Sequence, residues 1–262
     1  MADDSSDEVL ESRLDDHIVL VTLNRPEKRN AVNAAVASAL EAIVKRTEAD
    51  PDVWVVVLTS SSDRVFCAGA DLAQVSAGAT GGMNTADGGF AGFVDAVRLK
   101  PWIAAVEGIA VAGGCEICVA CDMIVASENA RFGLPEVKRS LVAGAGGVNR
   151  LHRMLPRNVA FEMIATGDPI EAARAHHFGM VNRLTAPGRA LHAAHELALA
   201  IAANAPVAVQ QAIAAARATL SATEAEAKVI VGAAMAKVRG AEDYAEGPRA
   251  FLEKRPPRWT GR

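Results

Sequence analysis

The chain has 262 residues, 51% of them apolar, with 27 Lys and Arg against 31 Asp and Glu and a net charge of −4. That length and apolar content suffice for one large domain with a buried core and exclude disorder over most of the chain, while the mild acidity (pI 5.9) excludes a general attraction for nucleic acid or an anionic membrane surface. No uninterrupted apolar run reaches the roughly 18 residues of a membrane span, and the acidic opening lacks the basic and apolar regions of a secretory signal, so a cytoplasmic protein with a disordered tip over residues 1–12 is expected.

Residues 17–24 carry an apolar centre from Ile18 to Leu23 and predict a strand. Pro26, within Asn24-Arg-Pro-Glu-Lys-Arg-Asn30, cannot continue a ladder and ends it. A helix is predicted over 33–48, with Val36, Leu40, Ile43 and Val44 on one face, stopped by Asp50-Pro51-Asp52. Residues 53–58 are almost wholly Val, the pattern of a strand covered on both faces. Strand, helix, strand in that order favours a parallel or mixed α/β arrangement.

Phe66-Cys-Ala-Gly-Ala-Asp-Leu72 follows that buried strand. A glycine just past a strand permits a tight turn, after which the N–H of Ala70 can face a ligand. Residues 73–89, rich in Gly, Ala, Ser and Thr, read as a long loop whose length points to function or disorder, and 90–99 as a short helix before Pro101. A strand is predicted over 102–106, and Glu107-Gly108 turns it toward Gly113-Gly-Cys-Glu116, which opens an apolar helix over 113–120.

A glycine pair at a helix start leaves first-turn N–H groups unpaired and open to an anionic oxygen. Glu116, set among Ile, Val, Ala and Cys, is expected to be desolvated with its pKa raised toward neutrality, the state a proton-transfer group needs. Strands at 123–126 and 131–134 follow, and Pro135 puts Glu136 at the start of a loop or helical turn, so that two carboxylates from different elements can face one cavity.

Ala143-Gly144-Ala-Gly-Gly147 lacks the Gly-Lys-Ser/Thr ending of a phosphate-binding loop. It reads either as close helix packing or as an exposed N–H donor at Gly144. Helices over 149–155, 157–166 and 170–177 and a strand over 180–184 are predicted next. Beyond Pro187 the chain turns to Ala-rich helices at 190–203, 206–220, 224–238 and 241–252, suited to a subunit interface or to covering the sheet. Cys115, Cys118 and Cys121 have the close spacing of iron–sulfur ligands. Their apolar helical setting, in which cysteine packs as a small hydrophobe, is the stronger reading, and no metal site is expected.

In this order and spacing, Asn24-Arg-Pro with Asn30-Ala31, Phe66 to Leu72, Gly113 to Glu116, Phe132-Gly-Leu-Pro-Glu136 and Gly144 to Gly147 resemble the enoyl-CoA hydratase/isomerase (crotonase) superfamily. The resemblance runs over nearly the whole chain, to Phe251-Leu-Glu-Lys-Arg255. It implies an α/β fold: a crotonase-like spiral of ββα units over 13–189 with a C-terminal helical section over 190–262 that assembles a homotrimer or a dimer of trimers. It also implies an acyl-CoA thioester substrate and no cofactor, CoA being part of the substrate.

Carried over residue by residue, the resemblance puts an oxyanion hole on the backbone N–H groups of Ala70 and Gly113. Water activation falls mainly on Glu116 and proton donation on Glu136, as a coupled pair, with the Gly144 N–H holding the water. CoA recognition falls on Arg25, Lys28 and Ala31, on Ala68, Asp71 and Leu72, and on Lys254 contributed by a neighbouring subunit; Arg25 and Lys28 read equally well as solvated surface charge. The implied reaction is hydration of a 2-enoyl-CoA. The alternatives are isomerisation, a dehydration like that of carnitinyl-CoA dehydratases, whose terminal Trp-x-Gly-Arg pattern is similar, or a binding role with little catalysis. Ala112 stands where glycine is common and is expected to be tolerated; Ser140 and Ala143, in place of glycine and proline, are expected to reshape the pocket wall.

Overall fold

Two sheets organise the chain, and a repeated strand–strand–helix course builds both. The computed structural model describes residues 8–76 and 80–262; residues 1–7 of the expected acidic tip and 77–79 of the expected loop lie outside the described residues. In chain order the elements are β1 (Val9–Asp15), β2 (Ile18–Leu23), α1 (Ala34–Ala49), β3 (Val55–Ser60), β4 (Val65–Cys67), α2 (Leu72–Ser76), β5 (Asn84–Thr85) and β6 (Gly89–Phe90). Next come β7 (Trp102–Val106), β8 (Ile109–Val111), α3 (Gly113–Ala120), β9 (Met123–Ser127), β10 (Arg131–Gly133), α4 (Gly147–Met154), α5 (Arg157–Thr166), β11 (Ile170–Glu171) and α6 (Ala172–His177). The chain closes with β12 (Arg183–Thr185), α7 (Ala190–Ala202), α8 (Pro206–Thr219), α9 (Glu224–Arg239) and α10 (Glu246–Glu253).

The larger sheet has the order β1-β2-β3-β7-β9-β12, parallel except at β1, and the smaller has the order β11-β10-β8-β4. The courses β3-β4-α2, β7-β8-α3 and β9-β10-α4 repeat one plan: the first strand joins the larger sheet, the second joins the smaller, and a helix follows. This is the spiral of ββα units expected from the resemblance. It leaves β4, β8 and β10 side by side and parallel, with Cys67 opposite Ala110 and Gly133 opposite Val111. Whatever follows each of these strands is delivered to one end of the smaller sheet, the end at which parallel α/β sheets bind ligands.

The valine run works as a strand buried on both faces. Val56 and Leu58 point into the main core with Leu40, Val44 and Phe66, while Val55 and Val57 point into a second core with Ile18, Ile103 and Ala194, as the two-residue period of a strand dictates. The Asn33 side chain accepts the Val36 N–H at 2.8 Å and starts α1.

Several sequence expectations change. The tip does not extend to residue 12, because β1 begins at Val9; only Val9 in it is buried, and the strand is held by antiparallel pairing with β2, not by an apolar face. Residues 90–99 form no helix: Ala91 and Gly92 take φ of +59° and +64°, which breaks any helical course, and Val97 is 90% exposed. Within 73–89 the chain contains the rest of α2 and the short β5–β6 hairpin. The expected helix over 170–177 opens as β11, and the last strand covers Arg183–Thr185.

The first helix of the section over 190–262 covers the sheet, one of the two roles expected for it. Ala193, Ala194 and Ala198 of α7 are buried in the second core, so this helix belongs to the spiral. By contrast α9, which packs on α8, has no buried residue and exposes Val229, Val231 and Met235. Past α10 the tail is fastened by buried carboxylates: Glu246 accepts from the Arg249 and Arg255 side chains, and Asp243 from the N–H groups of Thr260 and Gly261. Trp259 Nε1 donates to the Ala203 carbonyl at 2.9 Å. Among the described residues no single helix is long and apolar enough to cross a membrane.

Candidate active site

Three successive units of the spiral deliver the site. Ala70 follows β4, Gly113 and Glu116 open α3 after β8, and Glu136 follows β10 in a short 3₁₀ turn over Pro135–Arg139. Because these strands are adjacent and parallel, residues far apart in sequence meet at one end of the smaller sheet.

Backbone geometry leaves two amides there without a backbone acceptor among the described residues. The Val32 N–H donates to the Gly69 carbonyl and the Asp71 N–H to the Val32 carbonyl, both at 2.8 Å. This parallel bridge turns the N–H of Ala70, the residue between, away from Val32. Gly113 is the first residue of α3, where an N–H has no acceptor within the helix. The two segments touch: Gly69, at φ +89°, has no room for a side chain, since a Cβ would lie 2.8 Å from the Gly113 nitrogen and from the Ala112 Cβ. The glycine pair is equally a packing requirement, because a Cβ on Gly113 would strike the Phe90 ring and one on Gly114 the Cys67 carbonyl.

Glu116 is 3% exposed, and its Oε1 accepts the Gly147 N–H at 2.9 Å. Burial pushes its carboxyl up to about 7; the Gly147 hydrogen bond opposes this, the nearby charge of Glu136 adds to it, and the Ala145 amide and the Arg150 charge oppose it further. Glu136 is half-buried, and desolvation raises it as well, against a bond from its own backbone N–H and the Arg139 charge. Its Oε2 is buried without a hydrogen-bond partner among the described residues. Desolvation favours the protonated form at both carboxyls, and amide hydrogen bonds oppose it at both. The pair can therefore act as base and acid.

The fold agrees with the comparisons to known proteins. A family model described as enoyl-CoA hydratase/isomerase matches residues 13–262. The chain belongs to the enoyl-CoA hydratase/isomerase family. It is 37% identical over 249 residues to the mevalonyl-coenzyme A hydratase sidH of Aspergillus fumigatus, covering 93% of this chain and 91% of the relative. Against the carnitinyl-CoA dehydratase of Proteus mirabilis it is 38% identical over 250 residues, with 94% and 95% covered. The solved structure of an enoyl-CoA hydratase from Mycobacterium marinum superposes with a TM-score of 0.93 at 42% identity, over 98% of this chain and all (100%) of that one. These relatives are named for hydration or for its reverse, dehydration, and the chain is an enzyme of that hydro-lyase class.

Within this enoyl-CoA hydratase/isomerase member, the residues expected to bind CoA divide. The turn after β2 and the segment after β4 are joined, the Ala68 N–H donating to the Arg29 carbonyl at 3.1 Å, so Lys28, Ala31, Ala68, Asp71 and Leu72 share one region. Lys28 and Leu72 are exposed there. Arg25 is neither solvated surface charge nor free for a phosphate. At 8% exposure, its Nε pairs with Glu8 at 3.0 Å, and its Nη1 reaches the Ala31 carbonyl at 2.6 Å and Asp71 at 3.3 Å. Asp71 is correspondingly a structural partner. Lys254 is exposed at the end of α10.

Gly144 is exposed and, among the described residues, donates to neither glutamate; Gly147, three residues on, holds Glu116. The Gly146-Gly147 pair at the start of α4 is the available signal for this, since it marks a helix start whose first amides have no acceptor within the helix. Phe90 was also missed, its contact with Gly113 depending on a turn that sequence periodicity cannot show. The four cysteines are buried and unpaired by disulfides, and burial raises all their thiols, Cys67 and Cys121 to about 12. Among the described residues no group of three or more His, Cys, Asp and Glu is arranged to hold a metal.

Proposed function

We propose that the protein is an enoyl-CoA hydratase that adds water reversibly across the 2,3 double bond of a 2-enoyl-CoA thioester. One observation carries this reading: an amide-held Glu116, a Glu136 with a free buried oxygen, and the N–H groups of Ala70 and Gly113 all reach the same end of the smaller sheet. The thioester oxygen accepts hydrogen bonds from Ala70 and Gly113. Glu116, ionised, takes a proton from water as the water oxygen bonds to C3. Electrons of the double bond move to the thioester oxygen, where the two amides stabilise the enolate by ~3–4 kcal/mol each. The enolate then collapses, and C2 takes the proton of Glu136. Water has contributed one proton and one hydroxide, no electrons have been exchanged with an outside acceptor, and no cofactor is required. Proton exchange between the two carboxyls and solvent restores the starting state.

Dehydration of a 3-hydroxyacyl-CoA is the same path reversed, and the relatives named for mevalonyl-CoA and carnitinyl-CoA favour an acyl group with polar substituents as a second reading of the substrate. An isomerase reading requires only one base, so the retained pair speaks for hydration. Exposed apolar residues on α9 and Phe251 and Leu252 on α10 support a trimer or dimer of trimers, in which Lys254 reaches a neighbour's CoA phosphates. The test is a panel of enoyl-CoA thioesters of graded chain length and polarity, followed by loss of the conjugated enoyl absorbance in labelled water. Incorporation of solvent oxygen at C3 is expected; double-bond migration without incorporation identifies an isomerase, and no turnover on any member of the panel overturns the reading.

A further inference from the structure

Arg150 lies on α4 one turn past Gly147, and its guanidinium reaches in two directions. Nη1 donates to the Ala145 carbonyl at 3.2 Å. Nη2 donates to the Val94 carbonyl at 2.7 Å and pairs with Asp95 Oδ1 at 3.2 Å. Each end of this bridge touches a different half of the active site. Ala145 and Gly147 are the backbone positions whose amides hold Glu116. Val94 and Asp95 close the turn that begins at Phe90: the Val94 N–H donates to the Phe90 carbonyl at 3.2 Å and the Asp95 N–H to the Gly88 carbonyl at 2.9 Å. The Phe90 ring lies against Gly113, which offers the oxyanion N–H. Gly146 is bare where the fork passes, and a Cβ there would collide with Arg150 Nη1.

We propose that Arg150 is a positioning residue for the hydration reaction: its guanidinium locks the Ala145–Gly147 turn that holds the Glu116 carboxylate to the Phe90–Asp95 turn that backs Gly113, so that the carboxylate keeps its orientation toward an oxyanion amide whose backbone α3 already fixes. The proposal rests on the hydratase reading above. A planar fork is needed, because carbonyls and a carboxylate on two separate turns must be met at once; an ammonium of lysine offers charge without that geometry. The charge has its own effect. Glu116 is faced by Glu136 from the turn after β10, by the neighbouring Cys115 thiol on α3, and by Arg150 from α4, and of these three Arg150 stabilises its ionised form through charge.

Three variants test this with crotonyl-CoA as probe, reading kcat, KM and the pH profile of kcat/KM. Arg150→Met keeps the aliphatic stem and loses fork and charge. Its kcat should fall on the order of tenfold to a hundredfold, the size of loss that an ångström of misplacement produces, with KM nearly unchanged and the acidic limb moved to higher pH. Arg150→Lys should return the limb toward its wild-type position while kcat stays low. Asp95→Asn, at a largely exposed carboxylate, should lower kcat without moving the limb, and it serves as the deciding variant if Arg150→Met does not fold. A folded Arg150→Met enzyme with wild-type kcat and limb overturns the proposal, as does a loss confined to thermal stability across all three. A wild-type protein that hydrates no enoyl-CoA is a separate outcome, which overturns the hydratase reading itself.

Discussion

Replacing Glu116 by Gln removes a buried negative charge at nearly constant shape, and the site fixes how much stability is regained. In the unfolded chain the carboxyl titrates at its ordinary 4.5; in the folded site burial raises it to about 7. Folding thus favours the protonated form. The contribution of this carboxyl to stability is intact below pH 4.5 and is lost as pH rises through about 7, beyond which the folded state carries a penalty of ~3 kcal/mol, at about 1.4 kcal/mol per pH unit. Glutamine stays neutral at every pH, and its carbonyl can still accept the Gly147 N–H. Urea unfolding of Glu116→Gln should therefore show a gain of under ~1 kcal/mol at pH 5 and about 3 kcal/mol at pH 8. Equal gains at the two pH values, or none at pH 8, would refute the claim that the carboxylate is desolvated. The same raised carboxyl must be ionised to act as base, so kcat/KM should climb as pH rises through about 7.

Ala112→Gly should stabilise the protein. Ala112 is held at φ +53°, ψ −132°, a conformation costing about 1–3 kcal/mol for a residue with a side chain against about 0.5–1 kcal/mol for the extra freedom of glycine when unfolded; a lower urea midpoint would show that no strain is stored there. Arg25→Met should cost about 3–5 kcal/mol by leaving Glu8 and Asp71 without their cation, with stability affected more than the KM for acyl-CoA, and the reverse pattern would restore Arg25 to the CoA site. The four buried thiols should be unreactive toward a disulfide reagent in the native enzyme and react together on unfolding; fast native labelling would contradict their packing role.

What could be read from the sequence was set by local pattern. The valine run, the 113–120 helix and both glutamates carry their pattern in a few consecutive residues, so β3, α3 and the meeting of two carboxylates at one end of the smaller sheet were legible. β1 was not, because most of its side chains face solvent and pairing with β2 makes it a strand. The turn after β6 imitated a helix through Phe93 and Val94, yet two positive φ angles at Ala91 and Gly92 decide its path. Arg25 read as a CoA contact or as solvated surface charge, since its partners, Glu8 and Asp71, lie elsewhere in the chain. Gly144 and Gly147 are indistinguishable by composition; only the packing of α4 against α3 selects Gly147 to hold Glu116.

The central claim is that Glu116 and Glu136 work as one acid–base pair beside an oxyanion hole. Hydration of crotonyl-CoA by Glu116→Gln and by Glu136→Gln, measured with CoA-ester binding in the same preparations, tests it most directly. Each variant should lose activity by orders of magnitude while binding is kept. Full activity in either one would contradict the mechanism.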